Sequence, residues 1–397
     1  MRDVPAESSA CFTLHALYPC ERTLVMLNCF RRIATAFAVI SLLFSFTLPL
    51  QARELNNRQQ QMIRRAMLQE LKKQGAVGVA VGYLENGQVV HAEGYGYADL
   101  ANKQQLSKST VMNWASNSKP VMAILALQLV EKGQLNLDAD IHDYLPNYPP
   151  TTSRITARHL LCHQSGIPHY RNGRVVGTTR KFREQLPYLD PVNSLHKFDM
   201  SPLLFQPGAK YSYSSYAYIL LSAVVQAAGK EPIDQQLDKR IIQPLRLTSF
   251  EMDLPESNNR DWSVGYYRNS KGQVLPAPEE AHYWKHGAGG YKSNIRDFAR
   301  WAQAMMNDEL ISARTRKLMW TAQPTNNGQA TKKGLGVTVE VQNKRPKISH
   351  NGSQTEARSR MVLYPSSRNG VVILSNSNHA NPGRFSTAVY KTLRAAR

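Results

Sequence analysis

The segment Trp114-Ala-Ser116-Asn-Ser-Lys119-Pro120 sets a serine and a lysine three residues apart, just ahead of an apolar run from Val121 to Val130. A serine hydroxyl is a poor nucleophile until a base takes its proton. A lysine can be that base once desolvation or a cationic neighbour lowers its pKa. Positions i and i+3 share a helix face, and Pro120 suits a first helical turn, where its missing N–H costs nothing. The spacing therefore predicts Ser116 at the N-terminus of a buried helix. There, backbone N–H groups and the helix dipole favour negative charge developing on the serine oxygen. Ser-x-x-Lys is weak evidence by itself. A second copy, Ser194-Leu-His-Lys197, opens no apolar helix and reads as a surface coincidence.

Other chemistries find less support. The chain lacks Gly-x-Ser-x-Gly, so a strand-to-helix nucleophile elbow is not indicated. His282 and His286 have the i, i+4 spacing of a zinc pair, but no general-base glutamate sits between them and Gly287 follows at once; no metal or organic cofactor is expected. Gly94-Tyr-Gly96 and Gly287-Ala-Gly-Gly290 lack the third glycine and the following helix of a dinucleotide loop. Cys162, in an apolar segment, reads as packing rather than as a nucleophile.

The elements that must hold Ser116 and Lys119 are legible as a pattern. Residues 58–74 carry Ile63, Met67 and Leu71 at helical spacing and stop at Gly75. Two β-rich runs, 77–84 and 88–94, flank Asn86-Gly87, a strong hairpin signal. Helical patterns dominate from about 112 to 284. Strand patterns return at 359–364 and 371–375, and a helix follows Pro382. The expected fold is α/β (α+β): a mostly antiparallel sheet built from both chain ends, about 53–111 and 285–397, covered by terminal helices, with an all-helical region inserted between.

In this order the segments resemble the penicillin-recognising serine hydrolases of the class C β-lactamase type, a family that includes D-alanyl-D-alanine carboxypeptidases, D-aminopeptidases and esterases. Beside Ser116 and Lys119 stand Leu160-Leu-Cys-His-Gln-Ser-Gly-Ile-Pro168, Pro207-Gly-Ala-Lys-Tyr-Ser-Tyr213-Ser-Ser215, Gly289-Gly-Tyr-Lys-Ser293 with Asp297, and His350-Asn-Gly352. The resemblance runs from about residue 57 to the C-terminus. It implies that Tyr213 shares proton transfer with Lys119, a phenol near ammonium groups ionising more readily. It implies that His350 supports the substrate carboxylate or Tyr213 as a neutral donor. Ser353 would offer the backbone N–H that completes an oxyanion hole with that of Ser116. His163 and Ser165 would hold a turn near the site. Ser215 stands where the family has asparagine; its shorter hydroxyl can hold Lys119 but reaches less far toward a substrate amide.

Arg31-Arg32, the apolar run from Ile33 to Leu50 and Ala52 read as a secretory signal cleaved after Ala52, with Met26 as the expected true start. An uncleaved membrane anchor is the alternative. Cleavage would remove Cys11, Cys20 and Cys29, leaving Cys162 alone, and would leave 45 basic against 26 acidic residues, a net +19 beside the full chain's +20. Because the basic residues are scattered, that charge suits contact with anionic cell-wall or envelope polymers better than nucleic acid. The expectation is a periplasmic or secreted serine hydrolase that opens an amide or ester of a D-amino-acid peptide or β-lactam through a Ser116 acyl-enzyme. A short-chain carboxylesterase and a non-catalytic wall-fragment binder are the alternatives.

Overall fold

The computed structural model describes residues 54–151, 153–178, 190–254, 261–278, 280 and 282–395. The expected signal over residues 1–52 and the Met26 start lie outside them. Among the described residues no helix is long and apolar enough to cross a membrane.

Twelve strands run along the described residues. They are β1 (Gly78–Glu85), β2 (Gln88–Asp99), β3 (Gln104–Gln105), β4 (Met112–Asn113), β5 (Glu251–Met252), β6 (Tyr266–Arg268), β7 (Val274–Pro276), β8 (Tyr291–Ser293), β9 (Thr338–Gln342), β10 (Arg345–Ser353), β11 (Arg358–Tyr364) and β12 (Asn369–Ser375). The main sheet has the order β3-β2-β1-β12-β11-β10-β9, so the two chain ends meet where β1 pairs antiparallel with β12. Asn86 and Gly87 make the β1–β2 turn with φ 53° and 78°, as an Asn-Gly hairpin requires. The longer helices are α1 (Asn57–Gln74), α2 (Ser118–Glu131), α3 (Ser215–Gly229), α4 (Ile295–Met306) and α5 (Pro382–Ala395).

Sheet alternation explains why β1 is apolar along its length. Val79, Val81 and Tyr83 face a core closed by α1 and α5, where Ile63, Met67, Phe385 and Val389 are buried. Ala80 and Leu84 face the second core, which holds α2, α3 and α4. A strand covered on both faces has no solvent side to mark with polar residues. The α2 helix is buried nearly all round, as its unbroken apolar run predicts, and thereby carries Lys119 into the interior.

The inserted region is largely helical, with two additions. Short strands β5, β6 and β7 fall inside it, and β5 joins β4 and β8 in a three-stranded sheet behind the Ser116 turn. Strands of two or three residues are too short to show a period of two, so the sequence pattern passes over them.

Candidate active site

Ser116 does not lie in the α-helix itself. It sits in a single 3-10 turn, Ala115–Asn117, which feeds α2 one residue later. Ala115 adopts φ 49°, a left-handed conformation that costs an L-residue about 1 kcal/mol and is held by its surroundings. Those surroundings are specific. Trp114 is fully buried against Phe298 and Trp301 and donates from Nε1 to Ser293 Oγ at 2.8 Å. Ser118 Oγ donates to Ala115 O at 2.8 Å, and Asn117 Nδ2 donates to Ser359 Oγ at 2.7 Å. The chain passes so close to β10 that a Cβ on Gly352 would lie 2.4 Å from Trp114 O and 2.1 Å from Ser359 Oγ. Position 352 therefore tolerates only glycine.

Four of the expected side chains converge. Tyr213 OH lies 2.8 Å from Ser116 Oγ, Lys119 Nζ 3.3 Å from the same oxygen, and Lys119 Nζ 3.1 Å from Ser215 Oγ. Lys119 also donates to the carbonyl of Ala288. Its ammonium is fully buried with no carboxylate beside it, so burial first, and the Lys285 charge second, drive its pKa well below that of a free lysine. A lysine so placed can take the proton of Ser116.

For Tyr213 the physical reason expected from sequence does not hold. Burial pushes its phenol pKa up, against the smaller downward pull of the Ser116 hydrogen bond. The tyrosine is thus a protonated donor at rest, and the base is Lys119. His163 positions it: the imidazole is buried, stacks on Tyr213 with ring centroids 4.4 Å apart, and accepts at Nδ1 from Ser214 N.

His350 also departs from its expected role. Burial, then the charges of Lys119 and Lys333, lower its pKa to about 3. Its Nδ1 lies 2.9 Å from the carbonyl oxygen of Asn351, which can only accept. The ring's one N–H is therefore committed, and Nε2 is an acceptor rather than a donor for a carboxylate. Ser353 ends β10 on the rim of the same cavity. In the turn, Ser116 occupies a position whose backbone N–H has no partner within the turn, so it remains available to an oxyanion.

These groups line a cavity of about 880 Å³. Sequence reasoning missed much of its wall. His169 accepts at Nδ1 from Ser215 N and is held neutral, with a pKa lowered by burial to about 4. Tyr170, Tyr216 and Trp284 form an aromatic side, with Lys197 Nζ 4.3 Å and Lys285 Nζ 5.3 Å from the Trp284 ring. The second Ser-x-x-Lys is consequently no surface feature: Ser194 is fully buried and Lys197 lines the cavity. Helical spacing at Ser194, Leu195 and Phe198, all buried, is the signal that would have found it. Arg171 and Lys333 complete a strongly basic lining in which, among the described residues, Glu280 is the one carboxylate.

The two histidines at i, i+4 spacing have separate surroundings. His282 Nδ1 takes a hydrogen bond from Lys285 Nζ at 2.9 Å and Nε2 donates to Glu356 Oε1 at 2.7 Å, while His286 is buried apart from them. The ligand atoms of Glu280, His282 and Glu356 do fall within 4.8 Å of one another. Both imidazole nitrogens already have protein partners, so this set does not fit a cation without breaking them.

A buried lysine beside a serine at the floor of a cleft, on an antiparallel sheet joined to a helical region, defines an active-site serine protein of one class. Residues 63–396 match the Beta-lactamase family, and the chain belongs to it. The sequence is 25% identical over 335 residues to protein flp of Staphylococcus aureus strain N315, covering 82% of this chain and 64% of flp, so it spans under two thirds of that relative. The fold is similar to that of the D-amino acid amidase of Ochrobactrum anthropi SV3, solved with L-phenylalanine amide: TM-score 0.72, 20% identity, 86% of this chain and 100% of that one. It is also similar to EstCE1, a hydrolase with promiscuous acyltransferase activity: TM-score 0.71, 19% identity, 84% of this chain and 98% of that one.

Proposed function

We propose that the protein is an exported hydrolase that cleaves a carboxylate-bearing amide, a D-amino-acid peptide or a β-lactam, through an acyl-enzyme on Ser116. The observation that carries this is the buried triad: Ser116 Oγ accepts from Tyr213 OH at 2.8 Å and faces, at 3.3 Å, the Lys119 amine whose proton affinity burial has lowered. Ser116 Oγ bonds to the substrate carbonyl carbon and its proton passes to Lys119 Nζ. The oxyanion is met by the backbone N–H groups of Ser116 and Ser353. Collapse expels the leaving group, which takes a proton back through Tyr213. Water then opens the acyl ester and restores Ser116.

The lining favours amide substrates that carry a carboxylate. Among the described residues, Arg171, Lys197, Lys285 and Lys333 surround the cavity against the single acid Glu280, a field that attracts anions. A neutral short-chain ester, the second reading, gains nothing from it. The similarity to a D-amino acid amidase suits an amide, and that to EstCE1 suits the second reading. The basic surplus of the whole chain further suits a setting beside anionic envelope polymers.

Intact mass measurement after incubation with a penicillin and with p-nitrophenyl butyrate tests the reading. The expected result is a mass increment on the wild type that Ser116→Ala abolishes. If neither reagent adds mass, the protein is a binder on a hydrolase fold. Turnover of the butyrate with no reaction toward penicillin or a D-Ala-D-Ala peptide would favour the esterase.

A further inference from the structure

The position that the family resemblance assigns to a carboxylate-binding donor is filled here by His350, whose only N–H is already given to Asn351 O. That pole of the cavity nonetheless holds a cation, from another element. Lys333 lies in the loop before β9. Its backbone is pinned by a bridge to Thr338, by donation from Lys333 N to Thr331 Oγ1 at 3.1 Å, and by Gln323 N donating to Lys333 O at 2.7 Å. Its Nζ donates to Thr338 Oγ1 at 2.8 Å and sits 5.2 Å from the Tyr211 ring centroid. Both Lys333 and Thr338 line the cavity beside Ser116, His350 and Ser353. Lys333 makes no ion pair among the described residues. The acid that acts on it, Glu340, is bridged to Lys347 at 3.0 Å.

Resting on the serine-hydrolase reading above, we propose that Lys333, oriented by Thr338, is the specificity-determining residue that binds the carboxylate on the leaving-group side of the substrate, in place of His350. The Lys333 ammonium has three donors; Thr338 Oγ1 takes one, and two remain for a carboxylate. The other groups facing this pole cannot compete for the role. His163 is held neutral by burial and by the charge of Lys119, and Tyr211 is a phenol raised to about 12. The charge of Lys333 in turn helps keep His350 unprotonated, which fixes the division of labour between them.

The test compares two esters of one N-acylglycine, with 3-hydroxybenzoate or phenol as the leaving group, in the wild type and in Lys333→Gln and Lys333→Arg. The wild type should prefer the carboxylate ester in kcat/KM. Lys333→Gln should lower that preference about tenfold, the scale of one charge-assisted hydrogen bond, and Lys333→Arg should retain most of it. As a readout that needs no variant, free benzoate should inhibit the wild type competitively where benzamide does not. An absent wild-type preference, an unchanged ratio in Lys333→Gln, an equal fall in Lys333→Arg, or equal inhibition by benzoate and benzamide each overturns the assignment while leaving the hydrolase standing. Failure of both esters to turn over or to acylate Ser116 would instead remove the hydrolase reading itself.

Discussion

Lys119 has three oxygens within reach of Nζ: Ser116 Oγ, Ser215 Oγ and Ala288 O. A neutral amine has two N–H bonds and one lone pair. The Ala288 carbonyl can only accept, and if Ser215 accepts as well, both N–H bonds are used and the lone pair faces Ser116. Ser116 then donates to Lys119 and accepts from Tyr213, so every polar atom of the triad has one consistent role. This accounting gives Ser215 a purpose where asparagine was expected: its short side chain reaches Nζ at 3.1 Å, and Ser215 N ties it to His169. Because the base is the unprotonated amine, kcat/KM should rise with pH through the lowered Lys119 value. Lys285 contributes to that lowering as a like charge, after burial. Lys285→Met should therefore raise the Lys119 pKa and displace the acid limb of the kcat/KM profile toward higher pH, while Lys285→Arg holds it near the wild type. Coincident acid limbs for the wild type and Lys285→Met would mean that burial alone sets the value.

At the level of elements, the site depends on how closely β10 passes the Ser116 turn. Gly352→Ala places a methyl within 2.1 Å of Ser359 Oγ and 2.4 Å of Trp114 O, both fixed groups. The turn must yield, since Ala115 already holds φ 49° and has no slack. We expect about 1–3 kcal/mol lower stability in urea unfolding and at least a hundredfold slower acylation of Ser116, as overpacking and a misplaced nucleophile predict. A variant that acylates at the wild-type rate would show that the turn accommodates the methyl. The elements themselves were legible wherever periodicity is strong: the Ile63, Met67, Leu71 stripe ended by Gly75, the Asn86-Gly87 hairpin, and the apolar run of α2. Ser116, Lys119 and Tyr213 were legible because short-range spacing and motif order carry them. Lys333, Lys285 and His169 were not. Lys333 and His169 reach the cavity from loops, held by contacts such as Gln323 N with Lys333 O and Ser215 N with His169, and Lys285 from the single 3-10 turn Tyr283–Lys285, too short to show a period. The direction of the Tyr213 shift was missed for a related reason: residue types reveal neighbouring charges, but not the completeness of burial that outweighs them.

Across the whole molecule, the same burial links the site to folding stability. His163, His169 and His350 are all neutral in the folded protein, with pKa values pushed below 6.5 chiefly by desolvation, to about 4 for His169 and about 3 for His350. The unfolded chain protonates each near 6.5. Between the folded and unfolded values the unfolded state holds protons that the folded state does not, so stability rises with pH in this window and is lost as pH falls below about 6.5. Lys119 acts with the same sign, because its folded value also lies below that of the free side chain. Buried tyrosines act with the opposite sign at the alkaline end, since Tyr213 and Tyr291 hold their protons more tightly folded than unfolded. The protein should thus be most stable on the alkaline side of neutrality and weaken steadily in mild acid; His91, His159 and His379, whose pKa values burial also lowers, add to the same slope away from the cleft. Urea unfolding at pH 4, 5, 6 and 7 measures the slope directly. Replacing one buried titrating imidazole removes up to about 1.4 kcal/mol per pH unit from that slope. His350→Asn should therefore unfold with a shallower dependence on pH between 4 and 6 than the wild type, whatever its stability at pH 7. Parallel slopes would mean that His350 exchanges its proton alike in both states and is not held neutral by burial.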